Sequence, residues 1–100
     1  MQSGYQALKA LGYAQAAAGT FDTAKTLATA SISIPAGTAL VYIKCEAQAI
    51  RMRDDGTAPT AGVGYPLAVA TEFVYTAAQL SQLQIISQVA GAIVNFWFYG

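Results

Sequence analysis

Residues 50–67 read I-R-M-R-D-D-G-T-A-P-T-A-G-V-G-Y-P-L, and this stretch indicates how the rest of the chain is built. Ile50 and Met52 alternate with two arginines, which predicts a strand with one apolar and one polar face. The strand ends at residues 54–56, Asp-Asp-Gly, where aspartate side chains bond local backbone and glycine accepts a positive φ. Glycines and prolines then mark a long loop, and the apolar pattern resumes at Leu67. The stretch predicts part of a small all-β domain and does not indicate a chemical reaction.

The composition is that of one small domain with few charges. The chain has 100 residues and no formal net charge, and its length is near the common size of a single domain. Only 10% of the residues are charged, against about 25% in typical soluble domains. Because so few charges give little protection against association, we expect a homo-oligomer or a subunit of an assembly. The basic residues form no run or stripe, which argues against a nucleic-acid partner.

Several residue types and patterns restrict the chemistry. The chain has no histidine, so Ser-His-Asp, Cys-His and His-metal arrangements are excluded. Cys45 is alone in an apolar strand, which predicts a small core residue and no intramolecular disulfide. No stretch approaches the roughly 18–20 apolar residues that cross a bilayer, so we expect no membrane partner.

The acidic turn and the glycine pair have structural explanations. Residues 54–57 faintly resemble a calcium loop, but the alternate oxygen ligands and the later bidentate glutamate are missing. Residues 62–64, Gly-Val-Gly, lack the lysine that follows a phosphate-binding loop. A pair of carboxylates for glycoside hydrolysis would need a second acid facing Asp54 or Asp55 in a cleft, and the chain has few acids. We expect no enzyme, no cofactor and no metal site.

The first twenty residues differ in texture from the rest. Alanine, glycine and glutamine dominate them. A shared apolar face over residues 4–18 favours a weak helix, whereas Gly4 and Gly12 oppose it at about 1 kcal/mol each. An Ala-rich arm and a weak helix are equally favoured over residues 1–20, and residues 21–100 are expected to form the β domain.

Short alternating segments with regular turn signals predict the architecture of that domain. The β-branched and aromatic residues, separated by glycine, proline and aspartate, favour a small β-sandwich or barrel of about seven antiparallel strands. The phase of the alternation changes between residues 47 and 50, which we interpret as a hairpin of residues 41–46 with 49–54. This hairpin would place Lys44 and Glu46 beside the two arginines. The predicted strands cover residues 26–34, 40–47, 49–54, 63–70, 72–75, 83–88 and 93–99.

The last of these strands is apolar on both faces. Such a strand is either central in its sheet or covered by a partner subunit. It supplies the candidate interface residues, which are Phe96, Trp97, Phe98 and Tyr99. A sugar-stacking platform on Trp97 or Tyr99 is an alternative to a core or interface role.

The motif in residues 50–67 resembles a pattern of small virion proteins of tailed bacteriophages. In that family an arginine-rich strand leads into D-D-G-T-x-P-T-A and then V-G-x-P-L. A strand with a tyrosine follows, then L-S-x-[L/I]-x-[F/I]-I and a terminal aromatic strand; Tyr75 and residues 80–86 and 95–99 follow this order here. The resemblance covers residues 40–100. Its motif residues are Arg51, Arg53, Asp54, Asp55, Gly56, Thr57, Pro59, Thr60, Gly64 and Pro66.

The resemblance implies a structural role on the virion. Proteins of this kind are capsid decoration, or cement, subunits or other structural virion parts with a compact β fold. The expected partner is the major capsid protein, the expected assembly is a homo-oligomer with a trimer favoured, and the expected location is the capsid surface after synthesis in the host cytoplasm. A head–tail, tail or fibre-associated component is the alternative within the virion, and a small carbohydrate-binding module is the alternative outside it.

Overall fold

Two antiparallel sheets form a β-sandwich in the computed structural model, which describes residues 8–100. The predicted all-β class is therefore confirmed, with eight strands in place of about seven. A short 3-10 helix, Ala77–Gln82, lies between the sixth and seventh strands. The strands are β1 Ala10–Ala16, β2 Lys25–Thr26, β3 Leu40–Glu46, β4 Ile50–Arg53, β5 Tyr65–Leu67, β6 Glu72–Thr76, β7 Gln84–Ser87 and β8 Ile93–Tyr99.

Successive strands of the chain mostly belong to different sheets. The first sheet has the order β1-β8-β3-β6 and the second has the order β2-β7-β4-β5. Every connection except that from β4 to β5 passes from one sheet to the other. Strands that are distant in sequence therefore become neighbours, and β8 lies between β1 and β3.

The core lies between the sheets and follows the period-two pattern of the strands. Val41, Ile43 and Cys45 of β3 point inward, as the alternation predicts, and each is fully buried. Ile50 and Met52 of β4 meet them from the second sheet within the same cluster of buried residues. Burying a large apolar side chain contributes about 1.5–3 kcal/mol, so these inward faces supply most of the driving force for the sandwich.

β8 occupies a central position, which is one of the two outcomes that its two apolar faces predict. Its two faces have different roles. Phe96 and Phe98 are buried in the core at 0% and 1% exposure, whereas Trp97 and Tyr99 are half-buried on the opposite face. The candidate interface is corrected accordingly, because alternation along the strand directs both phenylalanines between the sheets and leaves only Trp97 and Tyr99 outside.

Residues 10–16 form neither the helix nor the arm expected for the N-terminal segment. They form β1, which pairs with β8 from Ala10 opposite Tyr99 to Ala16 opposite Val94. The side of β8 away from β3 requires backbone partners, and long-range pairing outweighs the weak helical preference of an Ala-rich segment interrupted by Gly12. The part of the expected arm or helix that covers residues 1–7 lies outside the described residues.

The predicted hairpin of residues 41–46 with 49–54 is wrong. β3 pairs with β6 and β8, whereas β4 pairs with β5 and β7. The alternation of core-facing residues does change phase between β3 and β4, but the change marks a corner where the chain passes to the facing sheet. Ala47 has a φ of +69° there and is exposed, although the alternation placed it in the core.

Two other strands are shorter than the sequence indicates. The strand predicted over 26–34 is wrong beyond Thr26, because residues 27–31 form turns. The Thr29 amide donates to Thr26 Oγ1 at 3.2 Å, and the Ala30 amide donates to the Thr26 carbonyl at 3.0 Å. A threonine that bonds nearby backbone competes with strand pairing. Of the strand predicted over 63–70, only Tyr65–Leu67 forms β5.

Candidate functional site

Arg51 and Gly64 fasten the long loop of the sequence motif to β4. Arg51 Nη1 donates a hydrogen bond to the Gly64 carbonyl oxygen at 3.0 Å. Gly64 has a φ of +138°, and a Cβ at this position would lie 3.0 Å from the Met52 carbonyl oxygen and 3.1 Å from Pro59 Cβ. Both the backbone angle and the close approach require glycine. These two motif residues therefore have a structural role.

Arg53, Asp55 and Gly56 build the turn after β4. Arg53 donates through Nε to Asp55 Oδ1 at 3.0 Å and through Nη2 to Asp55 Oδ2 at 2.6 Å. The Thr57 amide donates to Asp55 Oδ1 at 3.3 Å, and Gly56 has a φ of +87°. The hydrogen bonds from Arg53 hold the pKa of the exposed Asp55 carboxyl below its usual value. The predicted Asp-Gly turn is confirmed.

The expected pairing of these arginines with β3 is wrong. Lys44 and Glu46 lie on the first sheet, opposite Glu72 and Ile93 in the register of their neighbours. Arg51 and Arg53 belong to the second sheet, so the two pairs of charges are not on a shared face.

The remaining motif residues complete the connection from β4 to β5. Thr60 and Val63 exchange two backbone hydrogen bonds of 2.9 and 3.1 Å, and Pro59 is buried. Pro66 lies opposite Arg51 on β5, an edge strand where its missing N–H can be tolerated. The motif is thus a folding element, because its described polar contacts are made within the loop, to an adjacent strand or, at Asp54, to the facing sheet.

Asp54 connects the end of this motif to the other sheet. Its Oδ2 accepts a hydrogen bond from the Tyr75 hydroxyl of β6. Burial, and then the nearby Asp54 carboxylate, raise the pKa of Tyr75 above its usual value. This contact joins β4 and β6 at one end of the sandwich.

The second region with functional character is the outer face of the first sheet, the side turned away from the core. One row of side chains crosses all four strands in register and consists of Tyr13, Trp97, Tyr42 and Val74. The ring centroids of Tyr13 and Trp97 lie 5.1 Å apart, and Tyr13 remains 53% exposed. This aromatic row is a wide apolar surface within reach of solvent.

A polar row runs beside the aromatic row. It consists of Gln15, Asn95, Lys44 and Glu72, in register across the same strands. Asn95 is 4% exposed and organises the row. Its Oδ1 accepts hydrogen bonds from Tyr13 Oη and from Gln15 Nε2, and its Nδ2 donates to Glu46 Oε2 at 2.7 Å.

The outer face therefore combines a pre-organised polar network with exposed rings. A buried amide with its hydrogen bonds satisfied holds neighbouring side chains in place. Depressions of about 540 Å³ and 380 Å³ flank Trp97, and Lys44 lines both of them. Such a surface can dock another molecule through aromatic contact and hydrogen bonds.

The sequence predicts only part of this face. It indicates Trp97 and Tyr99 as site residues but gives no such indication for Tyr13, Tyr42 or Asn95. The alternation of Tyr13 and Gln15 with Ala14 and Ala16 was the signal that could have revealed β1 and its outward side chains.

Two further findings concern other kinds of site. Within residues 8–100, no group of three or more Cys, Asp or Glu side chains is arranged to hold a metal ion. No helix in that part of the chain is long and apolar enough to span a membrane.

Comparison of the chain with models of protein families, with curated proteins and with solved structures found no match. The functional assignment therefore rests on the geometry of the two regions described above and on the sequence motif.

Proposed function

We propose that this chain is a structural virion protein that decorates the capsid of a tailed phage and stabilises it by bridging capsid subunits. The observation that carries the proposal is the outer face of the first sheet, where an aromatic row spans four strands and stays within reach of solvent. The motif resemblance supplies the virion context. The major capsid protein is the proposed partner, and a homo-oligomer, with a trimer favoured, is the proposed assembly.

The chemistry of the outer face supports a protein partner. Tyrosine and tryptophan are enriched at the centres of protein interfaces, where they supply large contact areas at low entropic cost. Lys44 and Glu72 lie opposite each other on β3 and β6, so the face carries charges of both signs. Burial of its apolar surface would contribute about 25 cal/mol per Å² across a seam between capsid subunits.

The motif supports the proposal in a different way. Arg51 and Gly64 hold the loop to the second sheet, and Asp54 connects that sheet to β6. A rigid sandwich keeps the outer face in its binding geometry, which lowers the entropy lost on association.

The decisive experiment is the copy number of the chain in purified particles, measured by quantitative mass spectrometry against the major capsid protein. Hundreds of copies at a fixed ratio to that protein are expected for a decoration protein. A dozen or fewer would replace this proposal with the neck, tail or fibre alternative. Absence from the particles would overturn the virion assignment.

A matched pair of variants tests the proposed contact surface. Trp97→Ala is expected to abolish binding to capsids that lack the protein while the variant stays folded. Val89→Ala is the control, because Val89 is 60% exposed and lies in the turn before β8, away from the outer face. Equal capsid binding by both variants would show that the outer face is not the docking surface.

A second function, binding of carbohydrate, is favoured by one specific observation. The polar row lies directly beside Trp97, so a sugar ring stacked on the indole would have hydrogen-bonding groups along its edge. Binding on a glycan array that disappears in Trp97→Ala without loss of folding would support this function. No binding by the wild-type protein would dismiss it.

A further inference from the structure

A gap between two edge strands forms a small concavity lined by side chains of both sheets. β5 is an edge strand of the second sheet and β6 is an edge strand of the first; no backbone pairing joins them, and side chains of both line the gap. A cavity of about 100 Å³ lies at this open side of the sandwich. One water molecule needs only about 10–15 Å³ by the same measure, so the gap has room for a group of several non-hydrogen atoms.

Three aromatic rings from both sheets line this gap. Tyr65 comes from β5, and Phe73 and Tyr75 come from β6. The ring centroids of Tyr65 and Phe73 are 4.9 Å apart at 57°, and those of Phe73 and Tyr75 are 6.2 Å apart at 33°. Tyr65 is 52% exposed, so one ring stands at the mouth of the gap while the other two lie deeper.

The gap also contains a carboxylate without a cationic partner. Asp54 is half-buried, and its described hydrogen bond comes from the neutral hydroxyl of Tyr75. The one ion pair among residues 8–100 joins Arg53 to Asp55. Arg53 also lines the gap, but both of its bonded nitrogens are directed to Asp55. The Asp54 carboxylate therefore has no ion-pair partner among the described residues, and a partly buried charge favours a counter-charge.

We propose that this gap binds a quaternary ammonium group, with Tyr65, Phe73 and Tyr75 around the cation and Asp54 as its counter-charge. The faces of aromatic rings carry negative potential, and a cation within about 6 Å of a ring centroid is attracted to it. Several rings and one carboxylate form the arrangement that distinguishes a methylated cation from a neutral group of the same shape. Met52 and Leu83 supply the apolar floor that contacts the methyl groups. This site is separate from the outer face and does not depend on the proposed virion role.

The experiment titrates the full chain with choline and follows the N-methyl proton signal by NMR. Binding among the rings is expected to move this signal upfield. The neutral isostere 3,3-dimethylbutan-1-ol is expected to bind about 5- to 30-fold more weakly, which corresponds to the contribution of cation–π contacts. Equal affinity for both compounds, or no shift with choline, would overturn the proposal.

Three variants separate the site from its surroundings. Tyr65→Leu and Asp54→Asn are each expected to weaken choline binding by about 3- to 30-fold; the asparagine retains an acceptor for the Tyr75 hydroxyl. Val89→Ala is the control, since Val89 is 60% exposed in the turn before β8 and does not line the gap. Equal loss in Val89→Ala and Tyr65→Leu would refute the assignment to the gap.

A second titration, with a peptide as the ligand, distinguishes the source of the cation. Choline represents a free small molecule or a headgroup, and a short peptide with one trimethyllysine represents a protein side chain. Tighter binding of choline assigns the site to the small ligand, and tighter binding of the peptide assigns it to a modified side chain. Both outcomes support the quaternary ammonium site, whereas failure of both to bind would refute it. Because no capsid is present, failure here leaves the copy-number test of the proposed function unaffected.

Discussion

Replacing Gly64 with alanine tests whether the motif loop is held by backbone geometry. Gly64 has a φ of +138°, which residues with a Cβ rarely adopt. A left-handed conformation costs such a residue about 1–2 kcal/mol. The new Cβ would also lie 3.0 Å from the Met52 carbonyl oxygen, which belongs to β4 and has little freedom to move. Forcing an extra carbon into a packed site costs about 1–3 kcal/mol. We therefore expect Gly64→Ala to lower the free energy of unfolding by about 2–5 kcal/mol.

Gly56→Ala is the matched control for this prediction. Gly56 also has a positive φ, +87°, but a Cβ there meets no atom of the described chain within 4 Å. Gly56→Ala should therefore lower the free energy of unfolding only by the cost of the backbone conformation, about 1–2 kcal/mol. Both substitutions reduce the entropy of the unfolded chain by the same amount, so this contribution cancels in the comparison. The difference between the variants then measures the close approach at Gly64 together with the difference in conformational cost between φ values of +138° and +87°.

Urea unfolding of the two variants and the wild type, followed by Trp97 fluorescence, gives the three free energies. Thermal unfolding provides a second reading, in which 1 kcal/mol corresponds to about 4–8 °C in a domain of this size. A difference of about 2 kcal/mol between the variants would therefore separate their midpoints by about 8–16 °C. Equal stability of Gly64→Ala and Gly56→Ala would refute the argument that Gly64 is required by contact with β4.

Two further predictions concern the faces of β8 and the contact between the sheets. Phe96→Ala removes a fully buried ring and should lower the free energy of unfolding in urea by about 3–5 kcal/mol. Trp97→Ala should lower it by less, because Trp97 is half-buried. Equal losses of stability in the two variants would show that the two faces of β8 are misassigned. The pKa of Tyr75 is raised in the folded state, so the stability it contributes should be complete below the unfolded pKa of about 10 and should fall as pH rises above it. A spectrophotometric titration should show a tyrosine component that resists ionisation until the protein unfolds, and Tyr75→Phe should remove that component. Absence of such a component in the wild-type protein would contradict the partly buried contact with Asp54.

The motif loop is local in sequence, whereas the outer face of the first sheet is assembled from strands that are far apart in sequence. The motif residues are close in sequence, and their contacts lie mainly within one loop and its adjacent strand. The outer face draws Tyr13, Tyr42 and Trp97 from strands that are distant along the chain but in register in the sheet. Aligning those rings in one row depends on strand pairing, which no local pattern specifies. For the same reason the gap between β5 and β6 had no counterpart in the sequence reasoning.

Local sequence patterns are sufficient to predict the class of fold, most of the later strands and the Asp-Gly turn. These features follow from local causes: period-two alternation in β3 and β8, and the tolerance of Gly56 for a positive φ. Long-range packing assigns each strand to its sheet, and it makes residues 10–16 an edge strand. A change of alternation after β3 is compatible both with a hairpin and with a corner between sheets. Only the packing of two complete apolar faces against each other selects the corner, because that arrangement buries both β3 and β4 in a single core.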